Sequence, residues 1–296
     1  MKKIGWIIYN GNLPGDKFLD FAQMLQKSAL KYGSDAELIK NNELASLLTS
    51  SGLSLVPNKE LPDYVVFTDK DIYLAKQLEY LGLPVFNSAD AIATSDDKIA
   101  TYQRLAQLGI PIPKTVIAPK IFIEGTLDEE VINQAIEQLR FPMIVKEAFG
   151  SFGEQVYLVE TKEDLLAQIN AIGNKPFVFQ EFISSSYGID ARLQVVGNEV
   201  VASMKRRSRS DFRANITSGG TMEPYNPTEE EEKLAVEATK AIGAAFAGVD
   251  ILWDSDGVPL ICEVNSNAHI RNLLDCTGVN AAHFIMKHIL SAVGFS

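Results

Sequence analysis

Asp250, Glu263 and Asn265 carry side-chain oxygens into a stretch of sequence that is otherwise apolar. Gly248-Val249-Asp250-Ile251-Leu252-Trp253 and Val258-Pro259-Leu260-Ile261-Cys262-Glu263-Val264-Asn265 flank Asp254-Ser255-Asp256-Gly257, the pattern of a β-hairpin with a four-residue loop. Side chains alternate along a strand, so Glu263 and Asn265 should share a face, about 6.6–6.8 Å apart. Asp250, near the start of the partner strand, can face the same cavity. Carboxylates left unpaired in an interior cost several kcal/mol, so these must meet a cation or strong donors. Hard oxygen donors suit Mg²⁺, which is usually held by one or two carboxylates while substrate phosphates complete its shell. A solvated strand face is the competing reading, and pattern alone leaves the two in balance. A calcium loop is set aside: the glycine comes too early after Asp254, and Asn265 stands where the closing glutamate belongs.

Other segments carry complementary chemistry. Gly150-Ser151-Phe152-Gly153 follows Lys146 between two predicted strands, 141–146 and 155–159. Glycines let backbone N–H groups approach phosphate oxygens, although a plain hairpin loop explains the same spacing. It is not a Walker loop, because no Gly-Lys-Ser/Thr opens a helix there. Lys146 beside this loop suits a phosphate contact, whereas Lys98, near a helix start, reads by itself as structural. Gln180-Glu181-Phe182-Ile183 closes another strand and sets a carboxylate where nucleotide hydroxyls or amines could be read, or where water could solvate it. Lys205-Arg206-Arg207-Ser208-Arg209 and Arg213 form a basic segment that reads as irregular. It is brief, with Phe212 as its one aromatic, which argues against nucleic acid. Arginine forks suit carboxylates and phosphates, so an anionic substrate fits better. His269, His283 and His288 lack metal-ligand spacing, and no Ser/His/Asp arrangement can be placed.

The elements that must hold these groups belong to an ordinary globular chain of 296 residues, 46% apolar and 22% charged. A net charge of −11 opposes attraction to nucleic acid or anionic membrane. Two cysteines, Cys262 and Cys276, are too few for a disulfide framework or a thiolate metal site. Lys2-Lys3 leads directly into a short strand, with no signal region or long apolar span, so a cytoplasmic location is expected. Predicted strands at 3–9, 36–39, 62–67 and 85–86 alternate with helices at 16–33, 43–48 and 71–81. That order indicates a parallel sheet covered on both faces. No Gly-x-Gly-x-x-Gly follows the first strand, which argues against a dinucleotide site. Further helices are expected at 96–108, 128–139, 161–172, 228–242 and 281–292, with a hairpin about Gly197-Asn198. The expected fold class is α/β with α+β subdomains, and the first unit is expected to end near residues 88–93.

In combination these motifs resemble the ATP-grasp enzymes, most closely the RimK-type, glutamate ligase-like branch that joins amino acids to carboxylates. The resemblance runs from about Asp97 to the end. It rests on Asp97-Lys98, Gly109-Ile110-Pro111-Ile112-Pro113, Val145-Lys146 with the glycine loop, Gln180-Glu181-Phe182-Ile183, Asp190-Ala191-Arg192, Asp211-Phe212-Arg213-Ala214-Asn215 with Gly219-Gly220, Gly248-Val249-Asp250 and Glu263-Val264-Asn265. It implies an ATP-grasp fold behind an N-terminal, Rossmann-like pre-ATP-grasp domain at 1–93. A central and lid subdomain would follow at 94–183, and a metal-bearing C-terminal subdomain at 184–296. Lys98 and Lys146 would hold ATP phosphates beneath a lid containing Gly150, Ser151 and Gly153. Gln180, Glu181, Phe182 and Ile183 would line the nucleotide, with Glu181 on the adenosine. Asp250, Glu263 and Asn265 would hold two Mg²⁺, or Mn²⁺ in their place. Arg213 and Asn215 would be catalytic, where the γ-phosphate meets the acceptor, with Arg192 and Arg206 as acceptor or phosphate contacts.

The implied reaction is activation of a small carboxylate acceptor as an acyl phosphate, followed by attack of an amine or amino acid. Nucleic acid and membrane are not expected partners, and a homo-oligomer stays open. Three positions depart from the family pattern: Glu154-Gln155 after Gly153 in place of a further glycine, Ser218 in place of an arginine, and Ser266-Asn267-Ala268-His269 in place of a small-Pro-Gly run. The last two flank the expected acceptor pocket. A non-catalytic nucleotide-binding module, or a peptide-modifying ligase with another acceptor, are the rival readings.

Overall fold

A computed structural model describes residues 3–123, 127–150, 153–214 and 220–295. The first unit comprises β1 (Ile4–Tyr9), α1 (Lys17–Lys31), β2 (Asp35–Lys40), β3 (Ala45–Thr49), β4 (Gly52–Val56), β5 (Tyr64–Thr68), α2 (Ile72–Tyr80) and β6 (Val85–Phe86). Strands β2-β1-β5-β6 form the expected parallel sheet. Its alternating side chains feed two cores. Ile7, Tyr64 and Val66 pack with α1, while Trp6, Ile8, Val65 and Phe67 pack with α2 on the other face. The helix expected at 43–48 is absent. Residues 45–49 instead pair antiparallel with 52–56, because the Ser50-Ser51-Gly52 corner supplies a turn and a partner strand. Asp16 stands at the N-cap of α1 but its side chain makes no capping bond.

Next come α3 (Ala89–Asp96), α4 (Lys98–Gln107), β7 (Thr115–Ile117), α5 (Glu129–Leu139), β8 (Met143–Glu147), β9 (Val156–Val159), α6 (Lys162–Ile172) and β10 (Phe177–Glu181). An antiparallel sheet, β7-β10-β8-β9, packs one face on α5 and α6 through Val145, Phe177, Phe179, Ile132 and Leu165.

The last unit contains β11 (Ile189–Val196), β12 (Glu199–Arg207), β13 (Thr221–Pro224), α7 (Glu229–Ala241), β14 (Phe246–Trp253), β15 (Pro259–Asn265), α8 (Arg271–Thr277) and α9 (Ala281–Ala292). The β11–β12 turn uses Gly197 at φ +60°. Thr228 and Glu231 form the expected capping box of α7. Lys205, Arg206 and Arg207 are not irregular: β13 pairs with them and extends β12. In the five-stranded sheet β13-β12-β11-β14-β15, Leu193, Val195, Val249, Ile251, Ile261 and Val264 pack against Leu234, Ala235 and Ala238 of α7. The opposite face is divided: Asp190, Arg192, Arg206 and Asp250 lie on it, while Val196, Met204 and Phe246 pack into the core shared with α1 and α9.

The units interlock. Asn87, fully buried, donates from Nδ2 to the carbonyls of Phe246 (2.9 Å) and Ser266 (3.0 Å), and its Oδ1 accepts from the N–H groups of Ala245 (2.7 Å) and Phe246 (3.3 Å). Ser95 Oγ donates to the Val264 carbonyl at 2.8 Å and accepts from Ser266 N–H at 2.9 Å. Helix α9 packs its Ala282, Ile285, Met286 and Ile289 into the same core as Phe21, Leu25 and Ala29 of α1. No helix of the described residues is long and apolar enough to cross a membrane.

Candidate active site

The polar part of this second face of the five-stranded sheet forms the floor of the site. Antiparallel register sets Arg192 opposite Asp250, and Asp250 opposite Glu263, in one row across three strands. Asp190 lies opposite Arg206 in the next row. Asp250 is the fifth residue of β14, in mid-strand rather than near its start. Simple alternation would place Ile261 and Glu263 on the same face, yet Ile261 is in the core and Glu263 is in the site. A register shift lies between these two pairings, with Glu263 opposite Asp250 and Ile261 opposite Ile251, so Cys262 is the extra residue of a bulge. The bulge gives the site both Cys262 and Glu263, between two core residues, Ile261 and Val264. The hairpin loop spans 254–258, one residue longer than expected, closed by a bond from Asp254 N–H to the Val258 carbonyl at 3.0 Å.

The arginines and aspartates of this floor are paired. Arg192 donates from Nε and Nη2 to the two oxygens of Asp250 at 2.7 and 2.6 Å. Arg206 forks onto Asp190 at 2.7 and 2.6 Å and also reaches Asp250 Oδ2 at 3.0 Å. Burial works against the Asp250 carboxylate, but the two guanidinium groups outweigh it and hold its pKa below the ordinary value. Glu263 makes no hydrogen bond with the described residues.

The central sheet and α4 form the opposite wall. Lys146 on β8 is buried, and its Nζ donates to Tyr102 Oη at 3.0 Å and lies 3.8 Å from Cys262 Sγ. Tyr102 in turn donates to the Cys262 carbonyl at 2.7 Å, tying the two walls together. Lys98 stands four residues before Tyr102, on the same face of α4. Its Nζ is 3.5 Å from the Gly150 carbonyl. Burial lowers the Lys98 pKa, with Glu263 pulling the other way. Tyr102 and Cys262 were not singled out by sequence; the i, i+4 relation of Tyr102 to Lys98 was the available signal.

Two adjoining cavities result. The first, about 910 Å³ with open solvent included, is lined by Lys98, Lys146, Gly150, Gly153, Gln180, Glu181, Phe182, Ile183, Arg206, Arg213, Asp250 and Glu263. Glu181 is exposed there, and its carboxylate accepts from Lys114 N–H at 3.3 Å. Arg213 is paired with Asp211 and donates to the Gly153 carbonyl at 2.6 Å, so it ties its own loop to the turn before β9. The second cavity shares Gly150, Gly153, Arg206, Asp250 and Glu263 and adds Arg192 and Asn265. Its far side comes from the first unit, through Lys17, Phe18 and Asp69, and from Asn267 and His269. Sequence reasoning missed this convergence. Ser151 and Asn215, with Ser218, lie outside the described residues.

The residues fit a hard cation beside phosphates. Among the described residues no group of three or more His, Cys, Asp or Glu forms a metal cage. Asp250, Glu263 and the Asn265 amide instead offer the sparse oxygen set that Mg²⁺ takes when phosphates supply the rest. Asn265 Nδ2 is buried without a hydrogen-bond partner, which leaves this edge one polar contact short. Lys98 and Lys146 bring two positive charges to the same cavity.

Comparison with known proteins matches residues 95–289 to the RimK-like ATP-grasp domain. The uncharacterized protein MG012 of Mycoplasma genitalium is 30% identical over 294 residues, covering 98% of this chain and 100% of that protein. The probable alpha-L-glutamate ligase 2 of Shewanella amazonensis is 37% identical over 223 residues, covering 74% of this chain and 71% of that protein. The crystal structure of a RimK domain ATP-grasp protein from Sphaerobacter thermophilus superposes with a TM-score of 0.71 at 20% identity, over 97% of this chain and 99% of that one. That last likeness speaks to the fold alone. The two-walled cavity, its floor of paired charges and the family match over 95–289 have one reading in common: the chain belongs to the RimK-like ATP-grasp family, and its class of chemistry is ATP-dependent carboxylate–amine ligation.

Proposed function

We propose that this enzyme joins an amino acid to a small carboxylate acceptor through an acyl phosphate, releasing ADP and orthophosphate. The observation that carries the reading is the meeting of Lys98, Lys146, Asp250 and Glu263 in one cavity, although they come from α4, β8, β14 and β15. Two lysines on one wall and two carboxylates on the other suit a polyphosphate held between cations, with Gln180 to Ile183 at the nucleotide end. Asp250, Glu263 and Asn265 would hold Mg²⁺, two ions or Mn²⁺ in their place, which neutralises charge moving between phosphate oxygens. Lys98 and Lys146 position the β- and γ-phosphates, and their fixed charge favours the transferring phosphoryl group. Arg213 and Asn215 would act where that group meets the acceptor. The glycine loop at 150–153 would cover the phosphates.

The second cavity, against the shared edge of Asp250 and Glu263, would receive acceptor and amine. Lys17 and Arg192 offer it positive charge, whereas Asp69 and the buried, unpartnered Asn267 Oδ1 suit an ammonium group. The Shewanella relative's name makes an acidic α-amino acid the first amine to test. The three proposed divisions, 1–93, 94–183 and 184–296, each hold one of the three larger sheets. The free cysteines and the negative charge fit a cytoplasmic enzyme without nucleic-acid or membrane partners.

The test is chromatography of nucleotide products after incubation with ATP, Mg²⁺ and arrays of carboxylates and amino acids. ADP and orthophosphate, formed only with a carboxylate and faster with an amine, is the expected result. AMP and pyrophosphate would overturn the acyl-phosphate route.

A further inference from the structure

The hairpin of β3 and β4 is a two-stranded sheet joined to none of the other three. It is anchored from below. Leu44 and Leu55 enter the core of the first unit, and Gln77 Nε2 of α2 donates to the Ser54 carbonyl at 3.0 Å. Beyond those anchors it is open. All five residues of β3 are exposed, Leu47 by 43% and Leu48 by 70%. On β4, Leu53 and Val56 are exposed but Leu55 is buried, and Pro57 follows directly.

The antiparallel register shows which backbone groups are spare. Thr49 and Gly52 close a two-residue turn as a hydrogen-bonded pair, so bonded pairs recur at Leu47–Ser54 and Ala45–Val56. The N–H and carbonyl groups of Ser46 and Leu48 therefore point away from β4, and among the described residues no further strand meets them. Edges of this kind are ordinarily blunted by a charge, a proline or a bulge. β3 has none of these. Its pairing runs without a register shift, and no charged residue occurs from 44 to 58, in a chain that is 22% charged.

That missing charge selects the occupant. Two copies of this chain carry −11 each and repel, so they approach most readily where neither presents charge. A two-fold axis also sets a self-pairing strand against itself, and a charge at its centre would meet its like. A basic partner would choose the acidic surface instead, and an anionic membrane would need basic residues that this run lacks.

We propose that the open edge of β3 is a homodimer interface, on which β3 pairs antiparallel with β3 of a second copy about a two-fold axis at Leu47. Ser46 of each copy then exchanges backbone bonds with Leu48 of the other, and Leu47 meets its own counterpart as a close, non-hydrogen-bonded pair. The two hairpins become one four-stranded sheet. The contact consumes both β3 edges, so association stops at two. No residue from 44 to 58 borders either cavity, so each copy keeps its own site complete.

The experiment is analytical sedimentation of the full chain over a wide concentration range, for the native protein, Leu47→Lys, Leu47→Glu and an equimolar mixture of the two variants. The native chain should be a dimer. Each variant should weaken it by about tenfold or more, because like charges come directly opposite. The mixture should associate again, because lysine then faces glutamate. Circular dichroism confirms that the variants fold. Should one fail, Ser46→Pro replaces it, since it removes an outward N–H and should also weaken the dimer. A native chain that stays monomeric overturns the proposal. So does a native dimer that these substitutions leave intact, which puts the interface elsewhere. A mixture no tighter than the separate variants also overturns it, because β3 would then meet some surface other than itself.

Discussion

Asn87→Ala is the perturbation whose cost can be worked most directly. The side chain is fully buried and makes four bonds to the backbone of the C-terminal sheet, at 2.7, 2.9, 3.0 and 3.3 Å. Alanine strands two N–H groups and withdraws a donor from two carbonyls. A carbonyl has a second lone pair and often another partner, so the N–H of Ala245, at the shortest distance, dominates. One buried orphan costs about 1–3 kcal/mol, the longer Phe246 contact adds less, and a water entering the space returns part. The expected loss is about 3 kcal/mol. Asn87→Asp should be worse at neutral pH, because it turns an acceptor towards the carbonyls of Phe246 and Ser266. Burial raises the introduced carboxyl's folded pKa above its unfolded value of about 4. This variant should therefore be most stable in acid, and lose stability as pH rises through that interval. Urea unfolding followed by circular dichroism measures both, and hydrogen exchange at 245, 246 and 266 locates the loss. A change below about 0.5 kcal/mol for Asn87→Ala, the scale of an inert surface substitution, would refute the reasoning.

Glu263→Gln should reduce turnover by about 100-fold or more while leaving the melting temperature unchanged, since the carboxylate faces Lys98 and Lys146 without bonding described residues; a magnesium titration of activity checks it. His269 supplies a pH dependence of stability. Its folded pKa, about 4, lies below the ordinary 6.5, so its contribution is intact above 6.5 and is lost as pH falls towards 4. The full loss is at most about 3 kcal/mol, and His269→Gln should flatten that part of a stability–pH curve. Gly248→Ala would place a β-carbon 2.4 Å from the Ala268 β-carbon. The segment 266–269 must shift, so KM for acceptor or amine should rise while nucleotide affinity stays within about twofold, as expected when a substitution alters one pocket alone.

The parallel first sheet was readable because short apolar runs alternate with helical periodicity, and each period reports local geometry. The Asp250, Glu263 and Asn265 trio was readable for a different reason: polar residues are conspicuous in apolar strands. Alternation alone, however, assigns Glu263 to the face of Ile261, and only the bulge at Cys262 separates them. A bulge leaves no periodic mark. The 45–56 hairpin was missed because a five-residue run with two leucines fits either period, and its partner strand decided the matter. Likewise Lys205 to Arg207 became strand because β11 and the unseen β13 pair with them from both sides. Lys17, Asp69 and His269 are far apart in the chain, and no local pattern announces that they border one cavity. The pairing of Arg192 with Asp250 needs strand order and register together, neither of which is local.

The packing of α9 against α1 bears on how the molecule is made. Phe21, Leu25 and Ala29 appear early in synthesis, yet the side chains that cover them, Ala282, Ile285, Met286 and Ile289, come near the end. Until those residues leave the ribosome, the part of α1 that α9 covers stays open, although Ile7, Tyr64 and Val66 of the first sheet already pack against the helix. The first unit therefore completes its core only when α9 docks, although its sheet is assembled within the first 86 residues. Chaperone occupancy on ribosome-bound chains should persist at α1 until α9 emerges. Premature stops before residue 281 should yield chains that are degraded or aggregate, even where every catalytic element has been translated.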